Sequence, residues 1–437
     1  MFKVLKFGGS SMADAKQYKK VKEIVEAESS RKVVVVSAAG KRFSGDNKIT
    51  DLLYLCYAHL QYGVNCESIF DMIAERYIEI RNDLGLSIDI EADLDAIRKK
   101  IASGITQDEL VSRGEYLSAR LLADYLGFKF VDAVEWLTFK FDGTIDLDKS
   151  YAKLQNIPYE KGIVIPGFYG ILPNAKIKVL TRGGSDITGA LAAAALKADV
   201  YENWTDVSGV LMADPRIVDN PKPIKHITYD ELRELSYMGA QVLHEGTIFP
   251  VKKANIPLNI RNTNAPLDPG TVIMKNCETL DDDNNVITGI TGRHDFSILS
   301  ISKHGLSAAV GLLRKVAGIF EKHGVAIEYA PSGIDSVSFV MPSANINDEL
   351  YSVIAEIENE IKPEKIEVVD KISIIAVIGR GMAFKPGTSG KLFAALGENG
   401  INIRMISQGP DERNIIVGTD NKDYEKTIRV IYDSFIN

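Results

Sequence analysis

The C-terminal part of this chain is written twice, and that repetition constrains its fold more than any other feature. Aligned without gaps at an offset of 76 residues, Ser297/Ser373, Ile298/Ile374, Gly305/Gly381, Gly311/Gly387, Gly324/Gly400 and Ile327/Ile403 coincide. Glycine marks places where the backbone turns left-handed or passes close to a neighbour, so a shared glycine period means a shared set of turns. Each copy reads as a strand (296–302; 372–378), a glycine turn, an amphipathic helix, and a second strand after a glycine (325–330; 401–407). Val310, Leu313, Val316, Ala317 and Phe320 fall on one face of the first helix, and Gly324 sits where a left-handed C-cap is wanted. A second helix (347–361) and a strand (365–371) separate the copies. Two ferredoxin-like βαββαβ modules follow, with repeats at about 296–342 and 372–418.

The amino-terminal part follows a different pattern. Residues 2–7 (FKVLKF) and 33–37 (VVVVS) are apolar, β-branched runs leading to glycines, with a helical stretch from Asp14 to Glu28 between them. Val33 to Val36 is apolar without alternation, the pattern of a strand covered on both faces in a parallel sheet. From about Asp51 to Leu126 the periodicity is helical, which predicts a helical section lying over that sheet. Strand-like runs return at 162–167, 176–181, 200–204 and 257–261, with helices expected at 185–197 and 230–235. The expected class is α/β with a mostly parallel central sheet. An acidic polar cluster at 276–288 separates the two patterns, so the expected domains are 1–285 and 286–437.

Composition narrows the partners. A chain of 437 residues, 45% hydrophobic and 25% charged, has room for two to four globular domains, and disordered, fibrous and membrane classes are excluded. A net charge of −8 without a Lys/Arg block argues against nucleic acid and against an anionic membrane, so an anionic substrate must be met by local charges. Cys56, Cys66 and Cys277 have neither metal-site spacing nor the density of a disulfide scaffold. Lys3 and Lys6 interrupt what would be the apolar core of a signal peptide, and no apolar run approaches 18 residues. A cytoplasmic protein is expected. The six histidines show no HExxH or other ligand spacing, so no metal ligation by histidine is expected.

Four segments could carry chemistry. Lys6-Phe7-Gly8-Gly9-Ser10-Ser11 puts glycines at a strand end and hydroxyls at a helix start; such a turn lets backbone approach a phosphate under the positive end of a helix, with Lys6 adding a full charge. It is neither a P-loop nor a GxGxxG fingerprint, and a tight turn with a surface lysine would read the same. Thr181-Arg182-Gly183-Gly184-Ser185-Asp186 repeats the arrangement, with Ser185 or Asp186 able to cap the following helix and Arg182 able to grip a carboxylate bidentately. Trp204-Thr205-Asp206-Val207-Ser208-Gly209, followed by Asp214-Pro215-Arg216, is a strand end running into a polar loop, where open α/β sheets bind ligands. In Ser112-Arg113-Gly114-Glu115 the glutamate falls in a helix, where a solvated face is the ordinary reading.

Taken together, KFGGSS, SRGEYLS, TRGGSD, WTDVSG followed by ADPR, and two tandem C-terminal modules resemble aspartate kinase (aspartokinase), across essentially the whole chain and in family order. The resemblance implies an amino-acid-kinase-like αβα sandwich followed by two ACT modules. It implies ATP-dependent phosphorylation of the side-chain carboxylate of L-aspartate to 4-phospho-L-aspartate, the first step toward lysine, threonine and methionine, with Mg2+ accompanying ATP. An end-product amino acid would inhibit from the ACT modules, lysine favoured over threonine, in a homodimer or homotetramer joined through them.

The implied roles are these. Lys6 and Asp186 would be catalytic, and Ser37, Thr50, Glu115 and Arg182 would hold aspartate. Lys6, Gly8, Gly9, Ser10, Ser185, Thr205, Asp206, Leu211, Arg216 and Gln241 would hold ATP. Gly311, Leu312, Leu313, Glu328, Ser332 and Asp335 would meet the effector. The chain departs from the family at Leu211, where an aromatic residue is common, and at Gln241, where a lysine near ATP is replaced by an amide. Glu328 replaces an aspartate of lysine-sensing relatives, and its carboxylate can still pair with an ammonium. The competing readings are another small-molecule kinase of this fold, or a catalytically idle amino-acid sensor. The length leaves no room for a fused dehydrogenase domain, so a monofunctional enzyme is expected.

Overall fold

Lys3–Phe7 (β1) lies inside a parallel sheet and is buried from Val4 to Phe7, Lys6 included. The computed structural model describes residues 1–180, 183–239, 245–277, 286–383, 385–411 and 413–436. They form two units, the first comprising Met1–Val210, Pro223–Asp230 and Val242–Leu280, the second Leu211–Lys222, Glu231–Gln241 and Asp281–Asn437.

In the first unit the strands after β1 are Arg31–Val36 (β2), Lys129–Phe130 (β3), Ile163–Pro166 (β4), Tyr169–Ile171 (β5), Ile177–Val179 (β6), Val200–Thr205 (β7), His226–Thr228 (β8), Leu258–Asn262 (β9) and Thr271–Met274 (β10). The main sheet has the order β3-β4-β2-β1-β7-β9-β10-β8, parallel except between β9 and β10. The run expected at 176–181 joins β5 in a separate antiparallel ribbon instead. Leu5, Phe7, Val34, Val36 and Val164 face the helices Ala15–Glu26, Glu67–Leu84 and Arg113–Leu126 in one core. The alanine-rich helix Gly184–Leu196 packs against β1, β2 and β7. Helices on both faces explain why Val33 to Val36 shows no polar alternation. Among the described residues no helix is long and apolar enough to cross a membrane.

The second unit holds Gly289–Ser302 (β11), Ser336–Pro342 (β12), Lys365–Ile378 (β13), Ile403–Ser407 (β14) and Asn414–Asp420 (β15) in one antiparallel sheet, order β12-β11-β13-β15-β14. The strands expected at 365–371 and 372–378 are one continuous element, and the bulge between them at Lys371 (φ 60°) has its counterpart, 76 residues earlier, at Asp295 (φ 66°). Gly311 and Gly387 (φ 80° and 90°) and Gly324 and Gly400 (φ 67° each) complete the matching left-handed positions. The modules are nested rather than tandem. Residues 296–302 pair with 336–342 and 365–372, whereas 289–293 pair with 374–378 and supply the last strand of the second module from the front of the first.

Two details depart from the sequence reading. The first repeat's helix begins at Leu312, because left-handed Gly311 ends the preceding turn. Its buried stripe is therefore Leu312, Val316, Ile319 and Phe320, while Val310 is fully exposed and Leu313 half exposed. The strand expected at 325–330 is an irregular edge: Tyr329 bridges Val340 and Ser332 bridges Val337, with Pro331 between them lacking an amide to donate.

On the far side of that helix, His323 bonds Glu349 through Nδ1 (2.8 Å) and Glu356 through Nε2 (3.0 Å), and Glu356 also takes Lys322 at 2.7 Å. Both carboxylates raise the His323 pKa above its ordinary value. A raised folded-state pKa contributes stability that is complete below the unfolded value, near 6.5, and is lost as pH rises through the folded one. The melting temperature of the protein relative to His323→Gln is therefore expected to converge as pH is raised from about 6 to about 9. A difference that stays constant or widens would contradict this.

Candidate active site

Parallel strands end on one edge, and here the backbone itself ties the ends together. Gly167 N–H donates to Val36 O (2.9 Å), Ser37 N–H to Phe7 O (3.1 Å), and Gly8 N–H to Trp204 O (2.9 Å). The chain segments leaving β4, β2, β1 and β7 thus form one rim, the ligand-binding edge of an open α/β sheet. Gly9 approaches Gly40 so closely that a Cβ on Gly40 would lie 2.6 Å from Gly9 C and 2.8 Å from Ser10 N. The hydroxyls after the glycines do not start the α-helix as the sequence suggested. Gly9–Met12 is a 3-10 turn whose first bond is Ser11 N to Gly8 O, so the amides of Gly9 and Ser10 precede it and are not taken by it. The helix proper starts at Ala15 and is already capped by the Asp14 carboxylate.

Lys6 and Asn203 are partners in register on β1 and β7. The Lys6 ammonium lies 2.6 Å from Asp186 Oδ1, and Asn203 Nδ2 donates to the same oxygen at 3.0 Å. Asp186 belongs to the first turn of Gly184–Leu196, whose N-cap is left-handed Gly183 with no side-chain cap. Neither Ser185 nor Asp186 caps that helix, because the Asp186 carboxylate is committed to Lys6 and Asn203. Ser185 is buried against Gly167, where a Cβ would meet it at 2.6 Å. Two glycine turns separated by more than 170 residues in sequence therefore converge on one buried cation. Asn203 was not singled out from the sequence; it stands beside Glu202 as one of two adjacent polar residues inside β7 and carries no signal of its own.

Glu115 is not on a solvated face. It is 4% exposed in the first turn of Arg113–Leu126. That helix sits close to the rim because Gly114 has no side chain: a Cβ there would be 2.7 Å from that of Ala38. Burial raises the Glu115 pKa to about 8, against the lowering effects of the Ala38 backbone amide and the charges of Arg113 and Lys6. Its Oε2 has no hydrogen-bond partner among the described residues. Ser37 follows β2 directly and precedes Ala38, and Thr50 lies in the first turn of Ile49–Gln61, whose Ile49 amide returns to Ala39 O (3.0 Å).

The remaining expected residues are dispersed. Thr205 ends β7 and its hydroxyl bonds exposed Asp206 (3.1 Å). Leu211 and Arg216 belong to the second unit, where Arg216 is exposed and bonded to Asp214. Arg182 and Gln241 lie outside the described residues. Of the effector set, Gly311 is the left-handed N-cap and Leu312 is core. Leu313 and Ser332 are exposed, and Asp335 Oδ1 accepts from Gly305 N–H (2.8 Å). Glu328 receives Arg293 at 2.9 Å on Oε1, and its buried Oε2 has no hydrogen-bond partner among the described residues.

Among the described residues no cluster of three or more His, Cys, Asp or Glu could hold a metal. The rim offers the carboxyl groups of Asp186 and Glu115, backbone amides and a lysine, which suits a hard cation that takes most of its oxygens from phosphate and water.

Residues 1–262 match the amino acid kinase family and residues 375–435 match an ACT domain. Aspartokinase 3 of Bacillus subtilis (strain 168) is 35% identical over 449 residues, 99% of this chain and 98% of that protein. The aspartate kinase structure from Clostridium acetobutylicum is 46% identical with a TM-score of 0.90, covering 99% of each chain. E. coli aspartokinase III in complex with aspartate and ADP is 25% identical with a TM-score of 0.72, covering both chains fully. In its complex with lysine and aspartate the same enzyme is 26% identical with a TM-score of 0.73, again over both chains. By sequence, order of motifs and fold, this chain belongs to the aspartokinases of the amino acid kinase family.

Proposed function

We propose that this chain transfers the γ-phosphoryl group of ATP to the side-chain carboxylate of L-aspartate and is inhibited by lysine at its nested ACT modules. The observation that carries the catalytic reading is the Lys6–Asp186 pair at the meeting point of two glycine turns. The nucleophile is a carboxylate with pKa about 4, ionised at neutral pH, so no general base is required. The barrier is the approach of that anion to a polyanion. Lys6 lowers it by placing a cation where the transferring group develops charge, and the amides of Gly9 and Ser10, on the turn that Gly8 opens, with Ser185 at the open N-terminus of its helix, orient the triphosphate. Asp186, with Asn203, holds the Lys6 ammonium in place. Asp186, the carboxylate beside Lys6, would hold through water the Mg2+ that accompanies ATP, which would supply further charge neutralisation. Glu115 takes the aspartate ammonium, Arg182 its α-carboxylate, and Ser37 and Thr50 complete the pocket. Thr205, Asp206, Leu211, Arg216 and Gln241 are assigned to the nucleotide.

The unpartnered Oε2 of Glu328 favours an effector that carries an extra ammonium, hence lysine over threonine. We assign the chain to the cytoplasm, consistent with three buried cysteines, and to a homo-oligomer built through its ACT modules. The test is ADP release by the purified protein with MgATP, with and without L-aspartate, repeated with millimolar lysine or threonine. Aspartate-dependent release suppressed by lysine is expected. Release that does not depend on aspartate would overturn the substrate, and suppression by threonine alone would overturn the effector.

A further inference from the structure

A buried guanidinium on a helix far along the sequence holds the rim together. Arg76, in the middle of Glu67–Leu84, is 5% exposed. Its NH2 donates to both oxygens of Asp46 at 2.8 Å, and its NH1 reaches Gly40 O at 3.2 Å and Ala13 O at 3.5 Å. Those three acceptors lie on two separate pieces of rim. Ala13 follows the Gly9–Met12 turn, and Gly40 is the residue pressed on Gly9, its amide donating to Gly9 O at 2.8 Å. Asp46 closes the 40–48 loop by accepting from the amide and Nε of Arg42 (2.9 and 3.0 Å). The loop's two ends, carrying Ser37 and Thr50, are joined by the Ile49–Ala39 bond. Burial alone would raise the Asp46 pKa, but Arg42 and Arg76 together hold it well below the carboxylate range, so the clamp is charged at any working pH.

We propose that Arg76, through Asp46 and Gly40, is a positioning residue that fixes the triphosphate turn at Gly8–Gly9 against the aspartate segment 37–50, so that both substrates are held in one register. The inference rests on the kinase reading above. A guanidinium is suited to this because its planar fork bonds a carboxylate and two carbonyls at once, whereas an ammonium on a shorter arm cannot reach all three. Because it acts on both substrate segments, its loss should move both KM values and kcat together, and a loss of packing alone would lower the melting temperature without doing so.

The experiment compares Arg76→Lys, Asp46→Asn and the double variant, full chain, by steady-state kinetics for ATP and aspartate and by backbone hydrogen exchange. Arg76→Lys is expected to lower kcat at least tenfold and raise both KM values severalfold. Exchange should accelerate at 8–13 and at 40–48 together, while helix 67–84 stays protected. The double variant should be no worse than the poorer single one, since the pair acts as a unit. Wild-type kinetics and unchanged exchange in Arg76→Lys would overturn the proposal, as would additive effects in the double variant. If the unsubstituted protein releases no ADP with aspartate, the kinase reading fails, and coupled or uncoupled exchange at the two segments still decides the role of Arg76. If Arg76→Lys does not fold, Asp46→Asn, which keeps the shape and removes the charge, decides by the same two readouts.

Discussion

Lys6→Met is expected to lower kcat by at least two decades, corresponding to about 2.7 kcal/mol of transition-state stabilisation, while leaving the protein folded. Methionine keeps most of the apolar stem that lies buried in the sheet and removes only the charge. Asp186 is not orphaned by the change, because Asn203 Nδ2 remains 3.0 Å from its Oδ1. The loss therefore falls on the reaction, where a cation at 2.6 Å from Asp186 no longer faces the transferring group. At about 4 Å and an effective dielectric of about 20, one unit charge pair is worth roughly 4 kcal/mol, so a loss of two to three decades is the right order. Lys6→Arg should not rescue turnover: the site is closed by backbone, with a Cβ on Gly8 only 3.5 Å from the Lys6 nitrogen, and a guanidinium has no room to adopt the same position. The check is steady-state ADP release beside a thermal melt. A folded Lys6→Met variant with unchanged turnover would remove Lys6 from the catalytic role.

The sequence reading of this fold succeeded where pattern and physics coincide locally. The non-alternating valines of β2 and the glycine period of the C-terminal part each have one structural consequence, and the structure has it. It failed where the deciding contact is distant. That 289–293 joins the second module is a pairing with 374–378, which local periodicity cannot reveal. Glu115 read as a solvated helix residue because a single carboxylate on a helix normally is one; its burial depends on Gly114 letting the helix meet Ala38. Asn203 and Arg76 were silent for the same reason. One is meaningful only beside Lys6 on the neighbouring strand, the other only once three loop acceptors converge on it. The helix Glu245–Ala254 was missed because Pro250 interrupts its pattern, a residue that ordinarily ends helices.

Aspartate binding is expected to be pH-dependent through Glu115, and Glu115→Gln is expected to raise the aspartate KM by at least about a hundredfold. With a pKa of about 8, imposed chiefly by desolvation, the Glu115 carboxyl is mostly protonated at pH 7. Pairing with the aspartate ammonium requires the ionised form, so each binding event at neutral pH must release a proton. The apparent affinity should then climb with pH toward about 8, approaching tenfold per unit well below it, and level off above. The same shift has a sign for folding. A carboxyl whose folded pKa lies above its unfolded value of 4.5 contributes stability below 4.5 and loses it as pH rises through about 8. The unliganded protein should therefore become less stable across that window, and aspartate should restore what is lost by supplying the missing cation. Glu115→Gln, which cannot ionise, should flatten both the affinity profile and the stability profile at once, a pairing that a purely structural glutamate would not produce. The measurement is aspartate KM and melting temperature at several pH values from about 5 to about 9 for both proteins. Proton release can be read independently from binding heats in two buffers of different ionisation enthalpy. A wild-type aspartate KM that is flat between pH 6 and pH 8 would show that Glu115 does not meet the substrate ammonium.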